Sequence, residues 1–581
     1  MTRRVPTAST VPNNPSQRAA RLAARFDRAR ALHQQGRLAE ARALYLDVLR
    51  KQPKHADCLH MLGLVAYQTG DYQRSADLIA RAIKLSPRQV ALYNNRGLAL
   101  ERLGQLEAAV ANYDQAIEFE PAGANAWVNR GNALRRLGRL EAAVANYDRA
   151  IALNGISATA YLNRGSALRE LHQLEAALAS YDKAIELAPN TSAAWYNRAN
   201  ALTELGELEA AVAAYNRAIV LQSPRAEVLV NLAVALKELN RLDEAVATYD
   251  QALAIEPAHA AAAWNKARAL LLIGDFEHGW KLYERRWETT QRSSRRGFRQ
   301  PLWLGDAPLD GTTILLHAEQ GLGDTLQFCR FAAPVAARGA RVVMEVPKAL
   351  AKVLADVDGV SQWVIQGESL PDFDCHCPLL SLPLALRTTL ASIPARKAYL
   401  RADPAKIEHW ARRLGEKTVR RVGLAWSGRA EQVDDRNRSI ALSHLLAHLP
   451  AGWEYISLQK EVRDGDAITL RQHPAIHHFG EALEDFADTA ALCSLVDVVI
   501  SVDTSVAHLA GALGARTWIL LPFSPDWRWL LGRDDSPWYS SVRLYRQGAL
   551  GDWADPLAKL RADLSSLSFE LSADSEPPGA L

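Results

Sequence analysis

At 581 residues the chain is too long for one hydrophobic core, and a repeat array joined to one or two compact domains is its natural organisation. Apolar residues make up 49% and charged residues 23%, an ordinary balance for a folded protein, and a net charge of +3 argues against a general nucleic-acid or membrane role. Five scattered cysteines (Cys58, Cys329, Cys375, Cys377, Cys493) suit reduced thiols in a cytoplasm-like compartment.

The first residues are rich in Thr, Ser, Pro and Asn with no apolar stretch, so residues 1–21 are expected to be disordered rather than a secretory signal. No run approaches the roughly 20 apolar residues of a membrane helix. From about Leu22 to about Thr290 one period dominates. Tyr45, Tyr113, Tyr147, Tyr181, Tyr215, Tyr249 and Tyr283 fall in a 34-residue phase that only Ile79 interrupts. Small residues recur with them (Ala109, Ala143, Ala177, Ala211, and Ala116, Ala150, Ala184, Ala218, Ala252), and prolines often close the unit (Pro53, Pro87, Pro121, Pro189, Pro257). Alanine lets two helices approach closely, tyrosine fills the groove between units, and proline stops the second helix. A unit of this length and signature resembles the tetratricopeptide repeat, a helix–turn–helix pair. About eight units are expected, the terminal ones degenerate.

Residues 291–300 read as a basic linker. Arg285, Arg286, Arg292, Arg295, Arg296 and Arg299 mark either a solvated connection or, less simply, a phosphate-binding patch. Beyond Pro301 the period changes. Short apolar runs at 313–318, 341–346 and 362–365 alternate with helical stretches over residues 301–400, and a second series at 421–426, 453–458, 496–502, 517–521 and around Leu544 occupies residues 401–566. This alternation predicts parallel sheets in two Rossmann-like lobes, with ligand at the carboxyl ends of the strands. Cys375-His376-Cys377 is too closely spaced for a zinc knuckle and reads as a strand or turn, so no metal is expected. Residues 567–581 read as a disordered tail.

Three motifs sit at predicted strand ends. In His317-Ala-Glu-Gln-Gly-Leu-Gly-Asp324, Gly321 and Gly323 permit a tight turn, and Asp324 falls at the start of the next helix; helix capping alone would explain it. A dinucleotide fingerprint would need a third glycine where Leu326 stands, and no phosphate-loop Lys-Ser/Thr follows. Asp503, Thr504 and Ser505 open a helix that carries His508 one turn inward. Free N–H groups there suit a diphosphate, although a well-capped helix with a buried histidine has the same sequence. Trp426 and Ser427, with Arg436, Arg438 and Ser439, precede Gln459, Lys460 and Glu461 on successive loops, where cations could neutralise a leaving diphosphate or lie on the surface.

Together these motifs resemble glycosyltransferase family 9, the ADP-heptose:lipopolysaccharide heptosyltransferases, in the bacterial branch that fuses such a domain to tetratricopeptide repeats. The resemblance covers about Trp280 to Leu564 and implies a GT-B fold. It implies Asp324 as catalytic base, with Asp503, Thr504 and His508 at the nucleotide diphosphate, Arg438 on phosphate and Glu461 as a functional acid. The fusion is also similar to O-GlcNAc transferase. Asn95, Asn129, Asn163, Asn197, Asn231 and Asn265 recur at intervals of 34, and in that enzyme an asparagine ladder grips an extended polypeptide; a carboxamide both donates and accepts. The expectation is a cytoplasmic, metal-independent, inverting glycosyltransferase. It would use a nucleotide sugar, need no cofactor, and recruit a protein or glycan acceptor by the repeat groove. The alternatives are an inactive nucleotide-sugar-binding scaffold or a lipopolysaccharide heptosyltransferase. A helix N-terminus should lower the pKa of Asp324.

Overall fold

A computed structural model describes residues 15–289, 295–394, 396–428 and 435–570. Two compact units divide at Pro224.

The first unit is helical. Its helices are α1 (Pro15–Gln34), α2 (Leu38–Lys51), α3 (Ala56–Gln68), α4 (Tyr72–Leu85), α5 (Val90–Arg102), α6 (Leu106–Phe119), α7 (Ala124–Arg136), α8 (Leu140–Leu153), α9 (Ala158–Glu170), α10 (Leu174–Leu187), α11 (Ser192–Leu205) and α12 (Leu208–Leu221). They pair as the 34-residue period requires. Tyr113, Tyr147 and Tyr181 are wholly buried, each against a glycine sixteen residues earlier. A Cβ on Gly131 would lie 2.6 Å from the Tyr147 ring, and one on Gly165 equally close to Tyr181, so the ring fills space that only glycine leaves open. Surface ion pairs repeat in the same phase: Arg130–Asp114, Arg164–Asp148 and Arg198–Asp182, each at 2.6 Å. Helix α1 starts at Pro15, inside the segment expected to be disordered; residues 1–14 lie outside the described residues.

The second unit begins with four more repeat-phase helices: α13 (Ala226–Glu238), α14 (Leu242–Ile255), α15 (Ala260–Leu272) and α16 (Phe276–Tyr283). These four belong to the compact unit that holds the sheets. The reason is apolar. Leu271, Phe276, Trp280 and Tyr283 share one core with Ile314 and Leu316 of the first sheet and Trp527 and Trp538 beyond the second. One arginine of the basic stretch is likewise docked, whereas Arg295, Arg296 and Arg299 are exposed. Arg286 has 0% exposure and pairs with Glu284 (2.7 Å) and Glu319 (2.9 Å), while Arg296 pairs with Glu345 (2.6 Å). Arg292 lies outside the described residues.

The first sheet holds β1 (Thr313–His317), β2 (Arg341–Val346), β3 (Val360–Ile365) and β4 (Cys375–Pro378), ordered β3-β2-β1-β4 and parallel. The second holds β5 (Arg421–Ala425), β6 (Glu454–Ser457), β7 (Ile476–His478), β8 (Val498–Val502), β9 (Thr517–Leu521) and β10 (Val542–Arg546), ordered β10-β9-β8-β5-β6-β7 and also parallel. The apolar runs of β8 and β9 are buried throughout, as strands covered on both faces must be. Connecting helices are α17 (Leu322–Phe328), α18 (Ala332–Ala336), α19 (Leu382–Ala385), α20 (Pro404–Leu414), α21 (Asp435–Arg438), α22 (Leu442–Leu446), α23 (Asp464–Gln472), α24 (Phe486–Leu495) and α25 (Ser505–Ala512). The closing helix α26 (Ala554–Glu570) runs past the expected start of the tail at 567. The strand order reverses between β1 and β4 in one sheet and between β5 and β8 in the other, and ligands of open parallel sheets bind at the carboxyl side of such switch points.

Candidate active site

All three sequence motifs fall at these switch points. Residues 318–324 leave β1, Trp426–Gly428 leave β5, and Asp503 follows β8. Helices α17 and α25 then bring two of them together. A Cβ on Gly323 would meet His508 Cδ2 at 2.8 Å and Ser505 Cα at 3.6 Å, so the first turns of the two helices abut with no room for a side chain. Gly321 is the N-cap of α17, and its N–H donates to Asp324 Oδ2 at 2.8 Å. Thr504 is the N-cap of α25, its side chain making no capping bond. Two helix starts facing one locus concentrate partial positive charge there.

Asp324 carries an ion pair to Arg528. Burial is the first cause acting on its carboxyl and raises its pKa; Asp526 adds to the rise, while Arg528 and the Gly321 N–H oppose it. This corrects the expected lowering, because removal from water outweighs the helix start. His508 is 5% exposed, hydrogen-bonded through Nδ1 to the Tyr539 hydroxyl at 2.9 Å and stacked on Trp529 at 5.4 Å. Burial first, then Arg528, lowers its pKa to about 3, so it is neutral at neutral pH. Burial, with Asp526, pushes Asp503 up to about 6 against the pull of Arg438. Burial also opposes ionisation of Asp526, yet Arg528 and then Arg268 of α15 hold it below the usual carboxylate range.

Arg438 reaches the same locus. Its Nη1 donates to the Asp503 carbonyl at 3.0 Å, and its Nε pairs with Asp435 at 3.2 Å. Asp435 also accepts from Ser439 Oγ at 3.0 Å and pairs with Arg463, which sequence reasoning did not single out. The Arg436 side chain and residues 429–434 lie outside the described residues. Trp426 does not line the site. It is wholly buried in the core, with Nε1 donating to Asp466 at 2.9 Å, so it supports the loop from beneath. Ser427 accepts from Gln459 Nε2 at 3.1 Å. Lys460 is exposed and donates to the Glu484 carbonyl at 3.2 Å; Glu461 is exposed beside it. The residues missed by the sequence are Arg528, Asp526, Trp529 and Tyr539. A run of charged and aromatic residues in the loop after β9, Asp526-Trp527-Arg528-Trp529, was the available signal.

The asparagine series lies on one position of the first helices of successive pairs, with all six side chains half-buried. In the first unit Asn95 Nδ2 lies 2.8 Å from His60 Nε2, Asn163 donates to Asn132 at 2.9 Å and Asn197 to Ser166 Oγ at 3.4 Å, so part of each amide's capacity is spent between neighbouring repeats. Asn231 and Asn265 occupy the same position in the second unit. Among the described residues no group of three or more His, Cys, Asp or Glu could hold a metal ion, and no helix is long and apolar enough to cross a membrane.

Comparison with known proteins bears on the helical part. Family models described as tetratricopeptide repeat match residues 16–56, 56–89, 128–191, 162–226 and 226–259, and one described as TPR repeat matches residues 102–138. Protein FlbA of Caulobacter vibrioides is 27% identical over 326 residues, which is 51% of this chain and 54% of that protein; the chain thus spans about half the length of this relative. Among solved structures, the TPR protein YrrB is 24% identical, covering 33% of this chain and 98% of that one with a TM-score of 0.29. The C-terminal part of a TPR repeat-containing protein from Cytophaga hutchinsonii is 18% identical, covering 41% and 97% with a TM-score of 0.35. PilF of Pseudomonas aeruginosa is 18% identical, covering 36% and 96% with a TM-score of 0.34. From residue 16 to residue 259 the chain is an array of tetratricopeptide repeats, followed by a domain with parallel sheets.

Proposed function

We propose that the second unit contains a GT-B glycosyltransferase that moves a sugar from a nucleoside-diphosphate donor to a protein or glycan acceptor recruited by the repeats. The observation that carries this reading is the abutment of α17 and α25 at Gly323 and His508, which places two helix starts and Arg438 around one locus at the switch points of two parallel sheets. Such a locus fits a diphosphate, and the neutral His508 adds no charge of its own. In the proposed reaction an acceptor oxygen attacks the anomeric carbon and the bond from that carbon to the diphosphate oxygen breaks. The bonding electrons leave with the diphosphate, and the acceptor's proton passes to Asp324. A carboxyl whose pKa is raised is a better proton acceptor than one held low. Arg438 and the helix starts stabilise the departing charge, so no metal is required and inversion follows from a single displacement. Asn129, Asn163 and Asn197, with their remaining donor and acceptor capacity, offer hydrogen bonds to an extended acceptor.

The test is a panel of nucleotide sugars read first by thermal shift, since a ligand that binds the folded state alone raises its stability. Transfer to protein acceptors is then followed with and without EDTA. A stabilising donor whose sugar is transferred in EDTA supports the reading. A donor that binds without any transfer leaves a scaffold, and an absolute need for Mg²⁺ or Mn²⁺ contradicts the proposed role of Arg438 and the helix starts.

A further inference from the structure

The loop after β9 holds a cation built into the site from the second lobe. The Arg528 side chain is 9% exposed, and its three nitrogens serve three partners. Nε donates to Gln327 Oε1 at 2.7 Å, Nη1 to Asp526 Oδ1 at 2.7 Å, and Nη2 to Asp324 Oδ1. Gln327 and Asp324 belong to α17, beside the first sheet, whereas Asp526 belongs to the loop that leaves the second. The Trp527 ring lies 4.3 Å from the guanidinium carbon and fixes its plane. With Gly321 N–H on Oδ2, both oxygens of Asp324 are held. We infer that Arg528 is the positioning residue for Asp324: its planar fork fixes the carboxylate's orientation across the two lobes and divides one positive charge between Asp324 and Asp526. A lysine cannot reproduce this, because a single ammonium on a flexible stem lacks the fixed fork. The inference rests on the transferase reading in which Asp324 accepts the acceptor's proton.

The charged and titratable groups facing Asp324 are Arg528 and Asp526 from the loop, Glu319 from its own turn and Tyr283 from α16. Arg528 is the cation among them, so weakening its hold leaves Asp324 beside acids. The experiment compares kcat, the KM for the donor and the pH profile of kcat/KM for the wild type, Arg528→Lys, Asp526→Asn and Asp324→Asn. Arg528→Lys is expected to lower kcat by about 10–10²-fold, leave KM within about threefold, and move the acid limb of kcat/KM up by about one pH unit. Asp526→Asn keeps the guanidinium and frees its charge for Asp324, so its acid limb should move down; this variant carries the test if Arg528→Lys fails to fold. Unchanged kcat and pH profile in both variants, with only a lowered Tm, would make Arg528 merely structural and overturn the inference. Full turnover by Asp324→Asn would instead overturn the base assignment itself. If no donor is turned over, the carboxyl ¹³C titration of Asp324 decides the point: an identical curve in the wild type and Arg528→Lys rejects the inference, and a shifted curve upholds the positioning without the chemistry.

Discussion

One methyl group added at Gly323 meets a wall. The ideal Cβ would stand 2.8 Å from His508 Cδ2, 3.5 Å from its Nε2 and 3.6 Å from Ser505 Cα. The imidazole cannot retreat, being held by the Tyr539 hydroxyl at 2.9 Å on one edge and stacked on Trp529 at 5.4 Å. The helices must therefore separate by about half an ångström to restore ordinary contact. Overpacking of this kind costs about 1–3 kcal/mol, which lowers Tm by about 2–6 °C in a unit of this size. Each helix start contributes about 0.3–1 kcal/mol to an anion, and up to about 2 in partly buried geometry. Misaligning two of them should weaken nucleoside-diphosphate binding by about 5–30-fold. Gly321 is the control from the same motif. Its Cβ would meet only the Asp324 carboxylate at 3.2 Å, and its φ of −68° suits any residue, so Gly321→Ala should change stability by less than about 0.5 kcal/mol. Both variants are measured by scanning calorimetry and by titration with UDP, GDP and ADP. Equal Tm and equal affinity for the two would refute the abutment of α17 and α25.

His508 and His317 both have pKa values lowered to about 3, first by burial, so the unfolded chain binds protons that the folded chain refuses. Their contribution is whole above about pH 6.5 and is lost as pH falls toward 3, with about 2 kcal/mol per group gone by pH 5. Asp503 and Glu319, raised by burial to about 6 and about 7, gain stability over the same range. The wild type is therefore compared with His508→Gln and His317→Gln, and an identical change in urea stability between pH 7 and pH 5 in all three would contradict this. Arg286→Met strips the partner from Glu319, which is 1% exposed, and should cost about 3–5 kcal/mol, part of it recovered by adding Glu319→Gln; a loss below about 1 kcal/mol in the single variant would show that the pair is not buried as described. Changing Asn129, Asn163, Asn197 and Asn231 together to Ala should impair a macromolecular acceptor and spare a small one. At about 0.5–1.5 kcal/mol per amide hydrogen bond, each single change is mild. Wild-type modification of the macromolecule by the quadruple variant would leave the ladder as an internal feature of the repeats.

The repeat helices were legible because tyrosine, alanine and proline recur at fixed spacing, and each has one packing role. The glycines against which Tyr113, Tyr147 and Tyr181 pack, Gly97, Gly131 and Gly165, are in the same phase but carry no hydrophobic signal. Strands β1, β2, β5, β8 and β9 announced themselves as apolar runs buried on both faces, whereas β7, three residues with two histidines, has no such run. The motif residues Gly323, Asp503 and His508 could be read at strand ends because a turn and a helix start demand small and capping residues there. Arg528, Trp529 and Tyr539 could not, since they sit in an irregular segment whose order comes from long-range contacts with α17 and α25. The fate of Arg286 and of α13–α16 depends on the same kind of contact: pattern predicts amphipathic helices and a basic connection, and only packing decides which core they join.

The most direct measurement is single-site and chemical. Asp324→Asn is nearly isosteric and keeps an acceptor oxygen for Arg528 or the Gly321 N–H, but it cannot take the acceptor's proton. With the donor identified by thermal shift, transfer of radiolabelled sugar by this variant should fall by about 10²–10⁴-fold while donor affinity stays within a few-fold of wild type. Undiminished transfer by Asp324→Asn, or a wild-type protein that binds no nucleotide sugar at all, would contradict a transferase built on α17 and α25.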